Sequence, residues 1–173
     1  MFLNVQELEL RKVHFSQSFA PGQVDLLDER LRQRGPLKVE GTAELAGALG
    51  EIRVMGHITA NFETDCDRCL SPMEIPIDGD FNLLYRPELE EDLVDEREIR
   101  GSESEIGFYE GPGIELIDVV REQILLWSPM HPVCREDCRG ICPICGQDRN
   151  QNLCGCHQDK IDERWSALKN IRS

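Results

Sequence analysis

Six of the chain's eight cysteines fall between positions 134 and 156, and the other two stand as a Cys-x-x-Cys pair at Cys66 and Cys69. No other feature restricts the chain as strongly. Thiols packed this closely either cross-link, do redox chemistry or hold metal, and the compartment decides among these. The N-terminus carries Glu7 and Glu9 and lacks a basic start followed by an apolar run, so no secretory signal is expected. The longest strongly apolar stretch, Ile124 to Trp127, is far too short to span a bilayer. The expected location is the cytosol, where thiols stay reduced and paired cysteines point to metal.

The C-terminal block reads Cys134-Arg-Glu-Asp-Cys138-Arg-Gly-Ile-Cys142-Pro-Ile-Cys145-Gly146, followed by Cys154-Gly-Cys156. Cys142-Pro-Ile-Cys145-Gly146 has the form of a zinc knuckle, in which Pro143 fixes the entry and Gly146 permits the positive φ of the closing turn. Tetrahedral zinc takes four ligands, and thiolates suit it well. Cys154 and Cys156 are the nearest residues able to complete that site, leaving Cys66, Cys69, Cys134 and Cys138 for a second. A competing arrangement is a two-knuckle ribbon in which Cys66 and Cys69 share one ion with Cys142 and Cys145. Spacing leaves both open, with one or two Zn2+ per chain. His157 is an alternative to Cys156 as a ligand.

Other chemistries fit less well. Thioredoxin-type Cys-x-x-Cys pairs sit at a helix start, whereas Cys66 and Cys69 lie at a turn between expected strands. Cys138, Cys142 and Cys145 have the spacing of a radical-enzyme iron–sulfur motif, but only 28 residues follow Cys145, too few for the barrel such enzymes need. No phosphate-binding glycine loop, Ser-His-Asp arrangement or His-Glu-x-x-His helix is present. Neither an enzyme nor a small-molecule substrate is expected.

Around the cysteines, alternation sets the fold. Leu37, Val39, Gly41, Ala43 and Leu45 form one period-two run; Ile52, Val54, Gly56, Ile58, Ala60 and Phe62 form a second; Met73, Ile75, Ile77, Gly79, Phe81, Leu83 and Tyr85 form a third. Short joins between them favour an antiparallel meander. Residues 10–34 are of mixed polarity, with a short helix expected around Val24 to Arg34. Ile117, Val120, Ile124 and Trp127 share a helical face over Ile114 to Trp127, and Pro129 stops that helix. A terminal helix is expected over Lys160 to Ile171. The fold class is therefore α+β: a β-rich domain over residues 1–85, an acidic linker over 86–113, and a helix with a cysteine-rich zinc module over 114–173.

The net charge of −14 is concentrated in residues 74–122, which hold 16 acidic and 4 basic residues. Such acidity disfavours generic coating of nucleic acid. Arg135, Arg139 and Arg149 could serve a local RNA contact.

The run Gly56-His57-Ile58 through Cys66-Asp67-Arg68-Cys69-Leu70, followed by the cysteine block from Cys134 to Cys156, resembles the YceD-like proteins of bacteria and plastids. The resemblance covers nearly the whole chain. It departs modestly after the knuckle, where Gln147 to Leu153 replaces the usual Asn-Leu-Asn pattern. The resemblance implies a non-enzymatic role in accumulation of large-subunit ribosomal RNA. Its partner would be ribosomal RNA or a basic ribosomal protein, with no membrane involved. A zinc- or thiol-based redox switch and an RNA-binding zinc ribbon are the alternative readings.

Overall fold

The computed structural model describes residues 1–47, 50–88 and 106–156. The described residues are mostly sheet with few helices. In chain order they form β1 (Phe2–Asn4), α1 (Val5–Leu10), β2 (Val13–Phe19), β3 (Arg32–Gln33), β4 (Leu37–Leu45), β5 (Ile52–Asp65), β6 (Pro72–Pro87), β7 (Ile106–Tyr109), β8 (Gly113–Glu115) and α2 (Leu116–Trp127). Two compact units result. One comprises Met1–Thr64 with Glu74–Met130; the other comprises Asp65–Met73 with His131–Ser173.

The first unit is built on a sheet of order β2-β4-β5-β6-β7, with β3 pairing β5 off this path. β2 and β4 each run antiparallel to their neighbour, in the registers Phe15↔Gly41 and Gly41↔Gly56. The three alternating runs of the sequence lie on β4, β5 and β6. Leu37, Val39, Ala43, Ile52, Val54, Ile58, Ala60, Phe62, Ile77 and Phe81 are buried along them. Gly41 and Gly56 face each other at the centre of this sheet and leave room for two rings. A Cβ on Gly41 would meet the Phe15 ring at 2.9 Å, and one on Gly56 would meet the Phe81 ring at 2.8 Å. Aromatic side chains thus cover the bare backbone of paired glycines.

Two segments depart from expectation. No helix forms over Val24 to Arg34. The Asp25 and Asp28 carboxylates accept the N–H groups of Leu27 and Arg30, at 3.0 and 2.9 Å. Leu27 takes a φ of 56°. Aspartate-to-backbone bonds of this kind compete with helical ones. Val24, Leu26 and Leu31 still reach the core. Within the stretch expected as an acidic linker, Ile106–Tyr109 is β7, parallel to β6, with Tyr85 opposite Gly107. The Tyr109 hydroxyl donates to the Gly50 carbonyl at 2.6 Å. The acidic residues 89–105 lie outside the described residues, as does the segment expected to form the terminal helix.

Helix α2 begins beside the β1–β8 pair and ends at Ser128, whose hydroxyl and N–H both donate to the Ile124 carbonyl. Pro129 follows. Its buried face is Leu116, Val119, Val120, Gln123 and Ile124. Trp127 is half-buried, with its ring over Gly79. The buried stripe is therefore rotated slightly from the one the sequence implies. β1 approaches β8 so closely that a Cβ on Gly113 would fall 2.0 Å from the Leu3 carbonyl oxygen. No helix among the described residues is long and apolar enough to cross a membrane.

Candidate metal centres

Among its described residues the second unit has almost no apolar core of its own. Its buried cluster consists of Cys66, Cys69 and Cys138, with Met73 and Val133 packed against it. The cysteines are therefore both core and chemistry.

Backbone geometry brings them into two groups. Cys66 and Cys69 sit on the turn joining β5 to β6. The Leu70 N–H donates to the Cys66 carbonyl at 2.8 Å, and the Cys66 N–H donates to the Ser71 carbonyl at 2.9 Å. The same two bonds recur around Cys142 and Cys145. There the Gly146 N–H donates to the Cys142 carbonyl at 2.8 Å, and the Cys142 N–H donates to the Gln147 carbonyl at 2.8 Å. Both turns fold the second cysteine back beside the first, as a knuckle must.

The Sγ atoms of Cys66, Cys69, Cys134 and Cys138 all lie within 4.8 Å of one another. Those of Cys142, Cys145, Cys154 and Cys156 do the same. In the first tetrad the Cys66–Cys138 sulfurs stand 3.9 Å apart and the Cys69–Cys134 sulfurs 3.7 Å apart. A tetrahedral ion with four Zn–S distances of about 2.3 Å would place its sulfurs about 3.8 Å apart. A disulfide would need a separation of about 2.05 Å. A four-iron cluster holds each thiolate on its own iron, and so spreads them further than one ion does. The donor set and its spacing thus fit a single tetrahedral metal, and each tetrad could hold one ion. The spatial grouping follows the Cys142–Cys145–Cys154–Cys156 arrangement, and does not bring Cys66 and Cys69 to Cys142 and Cys145. His157 lies outside the described residues.

The ionisation pattern fits the same chemistry. Burial pushes the Cys66 thiol up, but the N–H groups of Cys134, Cys69 and Arg68 outweigh it and bring it down to about 6. The N–H groups of Cys145 and Ile144 likewise hold Cys142 down to about 6. Cys134 is pushed up to about 12 by burial and by its neighbouring thiols. Cys156 is pushed up to about 12, chiefly by its bond to Cys145. Within each tetrad some thiols are thus shifted toward the thiolate, Cys66 and Cys138 in the first and Cys142 in the second, and others away from it. A dication would offset the mutual repulsion and let all four bind as thiolates.

Other groups brace the first tetrad. The Cys134 N–H donates to the Cys66 sulfur at 3.4 Å. Arg68 donates through Nη1 to the Glu136 and Cys138 carbonyls, at 3.1 and 3.2 Å. The Ile141 N–H donates to the Arg68 carbonyl at 2.9 Å. Asn150 donates from Nδ2 to the Cys138 sulfur at 3.4 Å. Sequence reasoning passed over Asn150, because a polar residue between cysteine pairs carries no spacing signal. Arg135, suggested as an RNA contact, bonds Asn150 and pairs with Asp137.

Comparison with known proteins places the chain in a family. The family model described as "Large ribosomal RNA subunit accumulation protein YceD" matches residues 54–172, which include all eight cysteines. An uncharacterized protein of Mycobacterium tuberculosis is 32% identical over 133 residues, covering 76% of this chain and 58% of its own length. One from Mycobacterium leprae is 25% identical over 135 residues, covering 78% of this chain and 57% of its own. The Arabidopsis thaliana protein named "Large ribosomal RNA subunit accumulation protein YCED homolog 1, chloroplastic" is 24% identical over 143 residues, covering 70% of this chain and 44% of its own. The chain thus spans less than three fifths of the length of these relatives. No solved structure matches it. The chain belongs to the YceD family of large ribosomal RNA subunit accumulation proteins.

Proposed function

We propose that the protein is a non-enzymatic accessory factor in large ribosomal subunit biogenesis, acting in the cytoplasm, with two structural zinc ions held by its cysteines. Family membership carries the ribosomal part of this reading. The two thiol tetrads support the zinc part, with Cys66, Cys69, Cys134 and Cys138 on one ion and Cys142, Cys145, Cys154 and Cys156 on the other. Zinc favours four thiolates in a closed tetrahedral site, and such a site supplies folding free energy to a module too small to build a core. With all four positions taken by protein, neither ion would keep an open position for substrate.

The partner would be large-subunit ribosomal RNA or a basic ribosomal protein. The charge of −14 favours the basic protein, since the acidic stretch over 86–113 attracts cations and repels phosphate. A sheet meander would carry this acidic stretch, the helix and the zinc module as successive parts of one α+β chain. Depletion of the protein, followed by quantification of both ribosomal RNAs and of subunit profiles, tests the reading. Mature large-subunit RNA should fall relative to small-subunit RNA. An unchanged ratio with normal subunit peaks during fast growth would overturn it.

A further inference from the structure

The geometry points to Asn150 as a positioning residue that couples the two cysteine centres: it belongs to the loop of the second centre and hydrogen-bonds a sulfur of the first. The inference rests on the zinc reading above. Asn150 lies between Cys145 and Cys154, so its backbone is held by the second tetrad's loop. Its side chain reaches the Cys138 sulfur, a member of the first.

The orientation of its amide is fixed by chemistry. Oδ1 accepts from the Arg139 N–H at 2.8 Å and from the Arg135 guanidinium at 2.9 Å. Both partners are donors only, so the oxygen must face them. Nδ2 is thereby turned toward two acceptors, the Cys138 sulfur at 3.4 Å and Asp148 Oδ1 at 2.8 Å. Asp148 also accepts the Asn150 N–H at 2.9 Å and pairs with Ile141 through an isolated bridge. The Arg149 N–H donates to the Gly140 carbonyl at 2.9 Å. Residues 148–150 thus reach the first centre through one donor and a short backbone seam.

An N–H aimed at a thiolate sulfur withdraws charge from it, fixes its direction and favours its ligating form. Loss of metal from the second centre frees the loop ends at Cys145 and Cys154. The donor is then held against Cys138 less firmly, by the bonds to Arg135, Arg139 and Gly140, and the first centre weakens. Binding free energies are reciprocal, so loading the first centre also strengthens the second.

The test uses the full chain in five forms: wild type, Asn150→Asp, Asn150→Ala, Cys154→Ser/Cys156→Ser, and Asn150→Asp combined with both serine changes. Asn150→Asp keeps an acceptor for Arg135 and Arg139 but removes the donor to sulfur. Asn150→Ala, without the added charge, serves as the second variant. Zinc affinity of the first centre is read by chelator competition, and cobalt loading supplies a spectrum. Removing an outer partner of a ligand typically weakens metal binding by about 10- to 100-fold. That loss is expected for both Asn150 variants and for the double serine variant, while the triple variant should be no weaker than the double. The thiolate-to-cobalt charge-transfer band should move to lower energy in both Asn150 variants, a change that loosened packing alone would not produce. Wild-type affinity and an unmoved band in both Asn150 variants would overturn the coupling, as would losses that simply add in the triple variant. A wild-type chain that takes up no zinc would instead overturn the zinc reading itself.

Discussion

Leu70 and Gly146 occupy the same place in two knuckles. Each follows the second cysteine of a Cys-x-x-Cys pair, each returns its N–H to the first cysteine's carbonyl at 2.8 Å, and each takes a left-handed φ, 59° for Leu70 and 72° for Gly146. Glycine adopts that region freely, while a side chain with a Cβ costs about 1–2 kcal/mol there. The Leu70 side chain is 62% exposed, so burial returns little of that cost.

Opposite responses to substitution follow. Gly146→Ala should weaken zinc binding at the second centre by about 1 kcal/mol, because nothing lies within 4 Å of the new Cβ and only φ is strained. Leu70→Gly relieves strain but adds flexibility to the unfolded chain, a cost of about 0.5–1 kcal/mol, and should be neutral or slightly stabilising. Chelator competition on both variants checks this. A Leu70→Gly loss as large as that of Gly146→Ala would show that the Leu70 side chain does more than close a turn.

Gly41→Ala should destabilise the first unit. Its Cβ would fall 2.1 Å from the Met55 carbonyl oxygen and 2.6 Å from the Gly56 Cα, backbone atoms that cannot swing aside. Overpacking of this kind costs about 1–3 kcal/mol. Urea unfolding monitored on the sheet should show a lower midpoint with an unchanged slope. A midpoint equal to wild type would mean that the strands separate at Gly41 and Gly56 more easily than their register implies.

His57 should titrate above its ordinary value near 6.5. Its Nδ1 meets Asp80 at 2.8 Å and its Nε2 meets Asp78 at 3.0 Å. The bond to Asp80 is the main cause of the upward shift, opposed by burial and reinforced by the Asp78 charge. A histidine whose pKa is raised by folding adds stability in full below its unfolded value. That contribution disappears as pH rises through the folded value. Asp80→Asn should therefore lower stability at pH 6 and leave it nearly unchanged at pH 9. NMR titration of the His57 ring should give a value closer to 6.5 in that variant. An identical titration in both proteins would show that Asp80 does not hold the ring in solution.

Much of the sheet was legible because alternation is a local signal. Leu37 to Leu45, Ile52 to Phe62 and Met73 to Tyr85 are apolar on one face and polar on the other, and β4, β5 and β6 cover them. The segment around Asp25 and Asp28 was misread because helix-like composition conceals side-chain bonds that bend the backbone. β1 and β8 escaped notice since a three-residue pair depends on the close approach at Gly113, which no periodicity announces. At the candidate centres, residue type and pairing drew attention to the eight cysteines, which the structure gathers into two groups. Their division into tetrads was not legible, because it depends on how Arg68 and Ile141 bring the two stretches together.

The composition of the second unit's core predicts how the chain fails. Cys66, Cys69 and Cys138 are its buried cluster, so a bound metal would do there what aliphatic side chains do in the first unit. Cys142→Ser with Cys145→Ser should unfold the segment around the second centre and leave the sheet's amide dispersion in place. Loss of dispersion across Leu37 to Phe81 in the same variant would show that the sheet depends on that centre for its fold.

Metal analysis combined with X-ray absorption on the purified, reduced, chelator-free protein tests the central claim directly. Two zinc ions per chain are predicted, each with four sulfur neighbours at about 2.3 Å. Less than half an equivalent of zinc, or a dominant iron–sulfur chromophore, would contradict it.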